Sequence, residues 1–166
     1  LQSITFRLAD SLPKAKVEQL ENDMKGLPDE VRMIEERKRI EFWLDSGLGC
    51  CALKHREVGS YVQDSLLFGD PRRYRLIAWC VMPNHVHVLI DRLSSVSRIV
   101  QGWKSYTGRW ALKQNERLEL SIPDPDHFWM RDYWDRYIRN EEHLNNVIAY
   151  IHRNPVTAKL CRNPEE

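Results

Sequence analysis

Two histidines separated by one residue, His85 and His87, sit in the run Val81 to Ile90, Val-Met-Pro-Asn-His-Val-His-Val-Leu-Ile, which otherwise suits a buried strand. Side chains alternate across a strand, so both imidazoles point to one face while Val86, Val88 and Ile90 point to the other. Neutral imidazole is the commonest protein metal ligand, and such a pair could chelate one divalent ion with most of its coordination positions left open. The motif alone is weak, since two unrelated histidines would also produce it.

A second set of chemical groups lies near the carboxyl end. Leu144, Val147, Ile148 and Ile151 recur at i, i+3, i+4 and i+7, which predicts a helix opened by Asn140-Glu141-Glu142 and buried along that stripe. At about 100° per residue, Tyr150 and Asn154 lie about 40° apart on one flank, stacked one turn from each other. Asn154 offers a carbonyl oxygen to a hard cation, and Tyr150 a phenol that could attack a phosphorus polarised by that cation. A phenol with an ordinary pKa of ~10 is a poor nucleophile at pH 7 unless nearby cations favour the phenolate. Pro155 stops or bends the helix just beyond the carboxamide. His143 shares the flank and could replace Asn154 as third ligand, although a helix-surface histidine is the plainer reading. Tyr133 and Tyr137 are rival nucleophiles without an amide one turn away, and the sequence names no partner for His127 or His152.

These groups need a scaffold, and the pattern predicts one. An extended start at Ile4–Ala9 ends at Ser11-Leu12-Pro13. The charged stretch Lys14 to Leu44 reads as two helices parted at Leu27-Pro28, with Asp29 as cap of the second. A break at residues 45–49 precedes a helix at Arg56–Phe68, with Val58, Val62 and Leu66 on its stripe and Gly69-Asp70-Pro71 at its end. Strands at Tyr74–Met82 and Val86–Asp91 form a hairpin through Pro83-Asn84, with His85 starting the second arm. Ser95 or Ser97 caps a helix running to about Gln114, whose Val96, Ile99, Val100, Trp103 and Trp110 read as core rather than as a base-stacking platform. The aromatic stretch Phe128–Ile138 is partly strand. Strand, helix, hairpin, helix, strand, helix describes an α+β domain with one antiparallel sheet.

Composition bounds the rest. With 166 residues, 42% hydrophobic and 30% charged, the chain has the profile of a single globular domain. No apolar run approaches a membrane span and the amino end lacks signal-peptide regions, so a cytoplasmic protein is expected. Cys50, Cys51, Cys80 and Cys161 show no Cys-x-x-Cys spacing, which favours reduced thiols over disulfides or structural zinc. The net charge is only +1, yet residues 1–70 carry 10 Lys/Arg against 13 Asp/Glu and residues 71–166 carry 15 against 11. The half with His85 and His87 is therefore basic, which is compatible with phosphate-backbone binding without establishing it.

Taken together, Trp79-Cys80-Val81-Met82-Pro83-Asn84-His85-Val86-His87-Val88-Leu89, Tyr137-Ile138-Arg139-Asn140 and Tyr150-Ile151-His152-Arg153-Asn154-Pro155-Val156 resemble the single-tyrosine HUH transposases of the IS200-like type. The likeness is greatest to their REP-associated branch, and it extends from Ile4-Thr5-Phe6-Arg7-Leu8 to about Leu160. The resemblance implies a ferredoxin-like antiparallel sheet flanked by helices, with a helical insertion after the first strand at about residues 14–70, in one domain spanning 1–166. It implies that His85, His87 and Asn154 hold Mg²⁺ or Mn²⁺ and that Tyr150 is the nucleophile, forming a 5′-phosphotyrosine link and freeing a 3′-hydroxyl. The substrate it implies is single-stranded or hairpin DNA, a REP-like palindrome, met in the nucleoid. The acidic stretch Lys14–Glu41 suits the REP-associated branch and so favours a monomer over a dimer. By the same resemblance, a Trp- and Ser-containing segment that contacts DNA would follow Glu166. Lys104, Arg131, Arg136, Arg139 and Arg153 are the candidate phosphate contacts, each with a solvated charge as its plainer reading.

Three classes of function compete. A metal-dependent single-strand DNA nuclease and strand transferase leads. A non-catalytic hairpin-binding protein derived from such an enzyme would keep the DNA contacts without cutting. A metal-binding structural or hydrolytic domain unrelated to DNA would leave the Tyr150–Asn154 spacing unexplained.

Overall fold

The structure, a computed structural model, describes residues 1–164; residues 165–166, the end of the expected domain, lie outside the described residues. Four strands form one antiparallel sheet in the order β2-β3-β1-β4, made of β1 (Gln2–Arg7), β2 (Tyr74–Val81), β3 (His85–Arg92) and β4 (Trp134–Tyr137). The helices are α1 (Lys14–Asp23), α2 (Asp29–Asp45), α3 (Arg56–Phe68), α4 (Val96–Gln114) and α5 (Glu141–Thr157), with one 3₁₀ turn at Ala52–Lys54. Without α1, α2 and α5, the order β-α-β-β-α-β on this sheet is the ferredoxin-like arrangement.

β3 is a central strand, and its residues from His85 to Ile90 are buried on both faces. Val86, Val88 and Ile90 face the main core with Ile4, Phe6 and Leu8 of β1, where they meet Val58, Val62 and Leu66 of α3 and Ile99, Val100 and Trp103 of α4. Phe6 stacks on Trp103 at 5.9 Å and meets Trp129 edge-on at 4.8 Å, so the tryptophan stripe is indeed packing. Leu89 points the other way, toward Ala78, Cys80, Met82 and Ile151 of α5, with Leu144, Val147 and Ile148 packed alongside.

A bulge in β2 makes that division possible. The register runs Leu76 opposite Ile90 and then Ala78 opposite Leu89, leaving Ile77 as an extra residue. An extra residue flips the side-chain alternation beyond it. Leu76 and Trp79 thus pack toward α3 and α4, while Ala78 and Cys80 line the face under α5.

Most expected elements stand where the periodicity placed them, and the departures are local. Pro28, in polyproline-type extended backbone at φ −57° and ψ 144°, takes the cap position of α2, so Asp29 opens the first turn instead of capping it. Ser95 occupies the cap position of α4 without a side-chain hydrogen bond. Asn140 caps α5 in full, accepting from the His143 amide at 2.8 Å. Pro155 does not end α5, which continues to Thr157; a missing donor there deprives only the Ile151 carbonyl of its helical partner. Although α3 falls inside the expected 14–70 insertion, it packs in the main core, whereas α1 and α2 form a separate cluster of Leu12, Leu20, Met24, Ile40, Trp43 and Leu44.

Phe6 carries much of the main core on its ring. Phe6→Ala is expected to destabilise the protein by about 3–5 kcal/mol, read as a lowered urea midpoint.

Candidate active site

β3 and its turn determine where the histidines can go. The Asn84 amide donates to the Leu48 carbonyl at 2.9 Å, which turns its Oδ1 toward His85 Nδ1 at 2.7 Å. His85 therefore carries its proton on Nδ1 and presents a lone pair at Nε2. On the neighbouring strand Thr5 lies opposite His87, and its Oγ1 is 2.8 Å from His87 Nδ1. The two Nε2 atoms converge to 3.0 Å. Burial pushes His85 down to about 4, and burial with His85 and Arg37 nearby lowers His87 as well, so both rings are neutral near pH 7.

This pair fits a divalent ion. Two ligands in adjacent positions of an octahedral ion with bonds of 2.0–2.1 Å stand about 2.9 Å apart, close to the spacing observed. An oxygen partner on each Nδ1, Asn84 Oδ1 and Thr5 Oγ1, is the outer-shell arrangement expected of metal-binding histidines. On α5, Asn154 is 5% exposed and its Nδ2 has no hydrogen-bond partner, so its amide is a buried polar group without full satisfaction. The expected set of His85, His87 and Asn154 offers two nitrogens and an amide oxygen, a donor set suited to Mg²⁺ or Mn²⁺.

Tyr150 stands against the pair. Its ring lies edge-on to His87 with centroids 5.2 Å apart, and the residue remains 41% exposed, open to a substrate. Burial of the hydroxyl, and then the carboxylates of Glu41 and Asp45 and the Cys80 thiol, push the phenol above its ordinary range; the Asn154 side chain pulls modestly the other way. The rivals are elsewhere: Tyr137 bonds Arg92 at 3.1 Å, and Tyr133 lies under Lys104 in a cation–π contact. His143 Nδ1 accepts from the Arg139 amide at 3.3 Å, in the loop before α5.

Sequence periodicity misses what α2 contributes. Arg37, Glu41 and Asp45 follow one another at four-residue spacing, one stripe of a helix, and Asp45 Oδ1 reaches to 3.7 Å from His85 Nε2. Burial and then Glu41 raise the Asp45 carboxyl to about 6. Thr5 and Asp45 lie far along the chain from the histidines they meet, and no short-range pattern reveals them; Asn84 directly precedes His85, but the Leu48 carbonyl that orients it is 36 residues away.

The candidate DNA contacts divide. Lys104 donates to the carbonyls of Met130, Arg131 and Asp132 at 2.8, 3.0 and 2.9 Å, so its ammonium ties α4 to the loop before β4. Arg131, Arg136, Arg139 and Arg153 are exposed. Arg136 shares a strand face with Trp134, which packs beside α2, and Arg153 directly precedes Asn154.

A buried base with a lowered pKa binds a proton more readily in the unfolded chain. Stability from neutral His85 is therefore full above about 6.5 and is lost as pH falls toward about 4, and the lowered His87 acts in the same direction. The metal-free protein should show a falling urea midpoint across that interval, and His85→Gln with His87→Gln should flatten it relative to wild type.

Comparison with known proteins follows the same residues. The model of the family "Transposase IS200 like" matches residues 68–154, just over half of the chain and a span that holds His85, His87, Tyr150 and Asn154. An uncharacterized protein of Haemophilus influenzae is 21% identical over 146 residues, covering 64% of this chain and 77% of that one. The solved structure of a REP-associated tyrosine transposase bound to a REP hairpin superposes with a TM-score of 0.51 at 14% identity, over 98% of this chain and 70% of that chain, and so shares its fold. By that family match, this chain belongs to the IS200-like transposases.

Proposed function

We propose that the protein is a metal-dependent single-strand DNA endonuclease and strand transferase that acts at hairpin, REP-like DNA through a covalent 5′-phosphotyrosine on Tyr150. The observation that carries this reading is the meeting of two elements: β3 supplies two convergent ring nitrogens 3.0 Å apart, and α5 sets the Tyr150 ring against His87 and carries the buried Asn154 amide one turn on. The similarity to a transposase solved with a REP hairpin supports the choice of DNA.

His85, His87 and Asn154 would hold the cation. Once bound, it supplies Lewis-acid polarisation of a phosphodiester and offsets the negative charge near Tyr150. The Tyr150 oxygen attacks phosphorus in line, forming the phosphorus–oxygen bond to tyrosine while the bond to the 3′-oxygen breaks. The phenolic proton is lost to solvent or a nearby base, and the departing 3′-oxygen takes one up. Bond energy stays in the phosphotyrosine, so a 3′-hydroxyl can reverse the step without nucleotide hydrolysis.

Glu41 and Asp45 work against the phenolate, which keeps Tyr150 protonated until cation and substrate arrive. The exposed Arg131, Arg136, Arg139 and Arg153 are the phosphate contacts of this reading. Lys104 is given instead to the three carbonyls it bonds. Intact His85, His87, Tyr150 and Asn154 argue against a hairpin binder that has lost its chemistry.

Incubation with single-stranded hairpin oligonucleotides and Mn²⁺ should give a protein–DNA band that survives denaturation. Tyr150→Phe should abolish that band while leaving hairpin affinity within about twofold, and an uncut oligonucleotide with the wild-type protein would overturn the reading. Arg153→Ala should weaken oligonucleotide binding and lower the salt slope by about 1, whereas Lys104→Met should lower thermal stability and leave that slope unchanged.

A further inference from the structure

We infer that Asp45, at the end of the inserted helix α2, is a carboxylate ligand of the cation held by His85 and His87. The inference rests on the metal site of the proposed function and adds a fourth residue, from an element outside the span that matches the family.

Geometry is the first argument. Ligands of one octahedral ion with bonds of 2.0–2.1 Å are separated by about 2.9 Å when adjacent and about 4.1 Å when opposite. Asp45 Oδ1 stands 3.7 Å from His85 Nε2, about 0.8 Å beyond the adjacent separation, and its side chain keeps 38% exposure and hence freedom to turn inward. Among the described residues no three His, Cys, Asp or Glu side chains already close on one point, so Asp45 completes its approach when the ion enters.

The second argument is charge. Two neutral imidazoles and a carboxamide bring no anion to a dication, and hard cations of this class are ordinarily bound by at least one carboxylate. Asp45 is the carboxylate at hand, ion-pair distance from a ring nitrogen that is 1% exposed with its residue.

Local placement is the third. The carboxyl end of a helix carries partial negative charge and favours cations, yet α2 ends on Asp45 with no basic residue in its last turn, and Arg37 pairs instead with Glu41, one turn earlier, at 2.9 Å. Such a choice costs stability unless something positive sits beyond it. The helix end is also held in place rather than free. Trp43 and Leu44 are buried in the α1–α2 cluster, and the next loop returns the Leu48 carbonyl to Asn84, the residue that orients His85. Gly49 allows that return, since at φ +85° any Cβ would fall 2.6 Å from the Asp10 carbonyl oxygen.

Mn²⁺ binding to the full chain, followed as loss of the free-ion EPR signal, tests the assignment without reference to DNA cleavage. Asp45→Asn should weaken binding at least about tenfold, the lower end of what losing even an outer-shell partner costs a metal site. Asp29→Asn, in the first turn of α2, should change nothing. Binding by Asp45→Asn within twofold of wild type, while His87→Ala loses it, would overturn the role of Asp45 alone. Unchanged binding by His87→Ala would instead remove the metal site on which it rests. Should Asp45→Asn fail to fold, the wild-type protein still decides: a Mn²⁺-induced shift of carboxylate infrared bands is expected, and its absence overturns the assignment.

Discussion

Two imidazole nitrogens held 3.0 Å apart inside a central strand are the constraint around which the rest of the molecule is arranged. Burying two polar rings is costly unless each finds partners, and here each Nδ1 has one, Asn84 for His85 and Thr5 for His87. Those partners sit on rigid backbone, a turn and a neighbouring strand, so the rings cannot swing away from each other. What remains is a pair of nitrogens aimed at the same point, a geometry that a shared proton or a shared cation satisfies.

The sheet separates stability from chemistry. One face carries the large aromatic core with α3 and α4, where Phe6, Trp103 and Trp129 interlock. The opposite face carries the histidines, α5 and the end of α2. The bulge at Ile77 lets β2 serve both, turning Cys80 toward α5 directly opposite His87. Because the two faces share only the backbone of the strands, the chemical face can afford open, unsatisfied groups that a core would not tolerate.

Electrostatics on that face oppose reaction in the free protein. Neutral histidines, a phenol held protonated, and two carboxylates from α2 of which Arg37 pairs only Glu41 describe a site that is short of positive charge. In the proposed function a dication and the arginines near α5 and β4 supply it, so that the readiness of Tyr150 to react would be coupled to binding. The helices between β1 and β2 do more than enlarge the molecule, since α2 reaches the histidine face of the sheet through its last residue.

Local periodicity was legible in the residues themselves. A repeat of two put His85 and His87 on one face of β3, and a repeat of about 3.6 put Tyr150 and Asn154 on one flank of α5, because each repeat is a property of a single element. The IS200-like pattern added their roles by resemblance. Tertiary structure alone decided which other groups meet them. Thr5 and Asp45 arrive from far along the chain, Lys104 spends its three donors on carbonyls 26 to 28 residues away, and the bulge at Ile77 follows from packing on both sides of β2. Contacts of that kind depend on how separate elements dock, and docking leaves no periodic mark on a sequence.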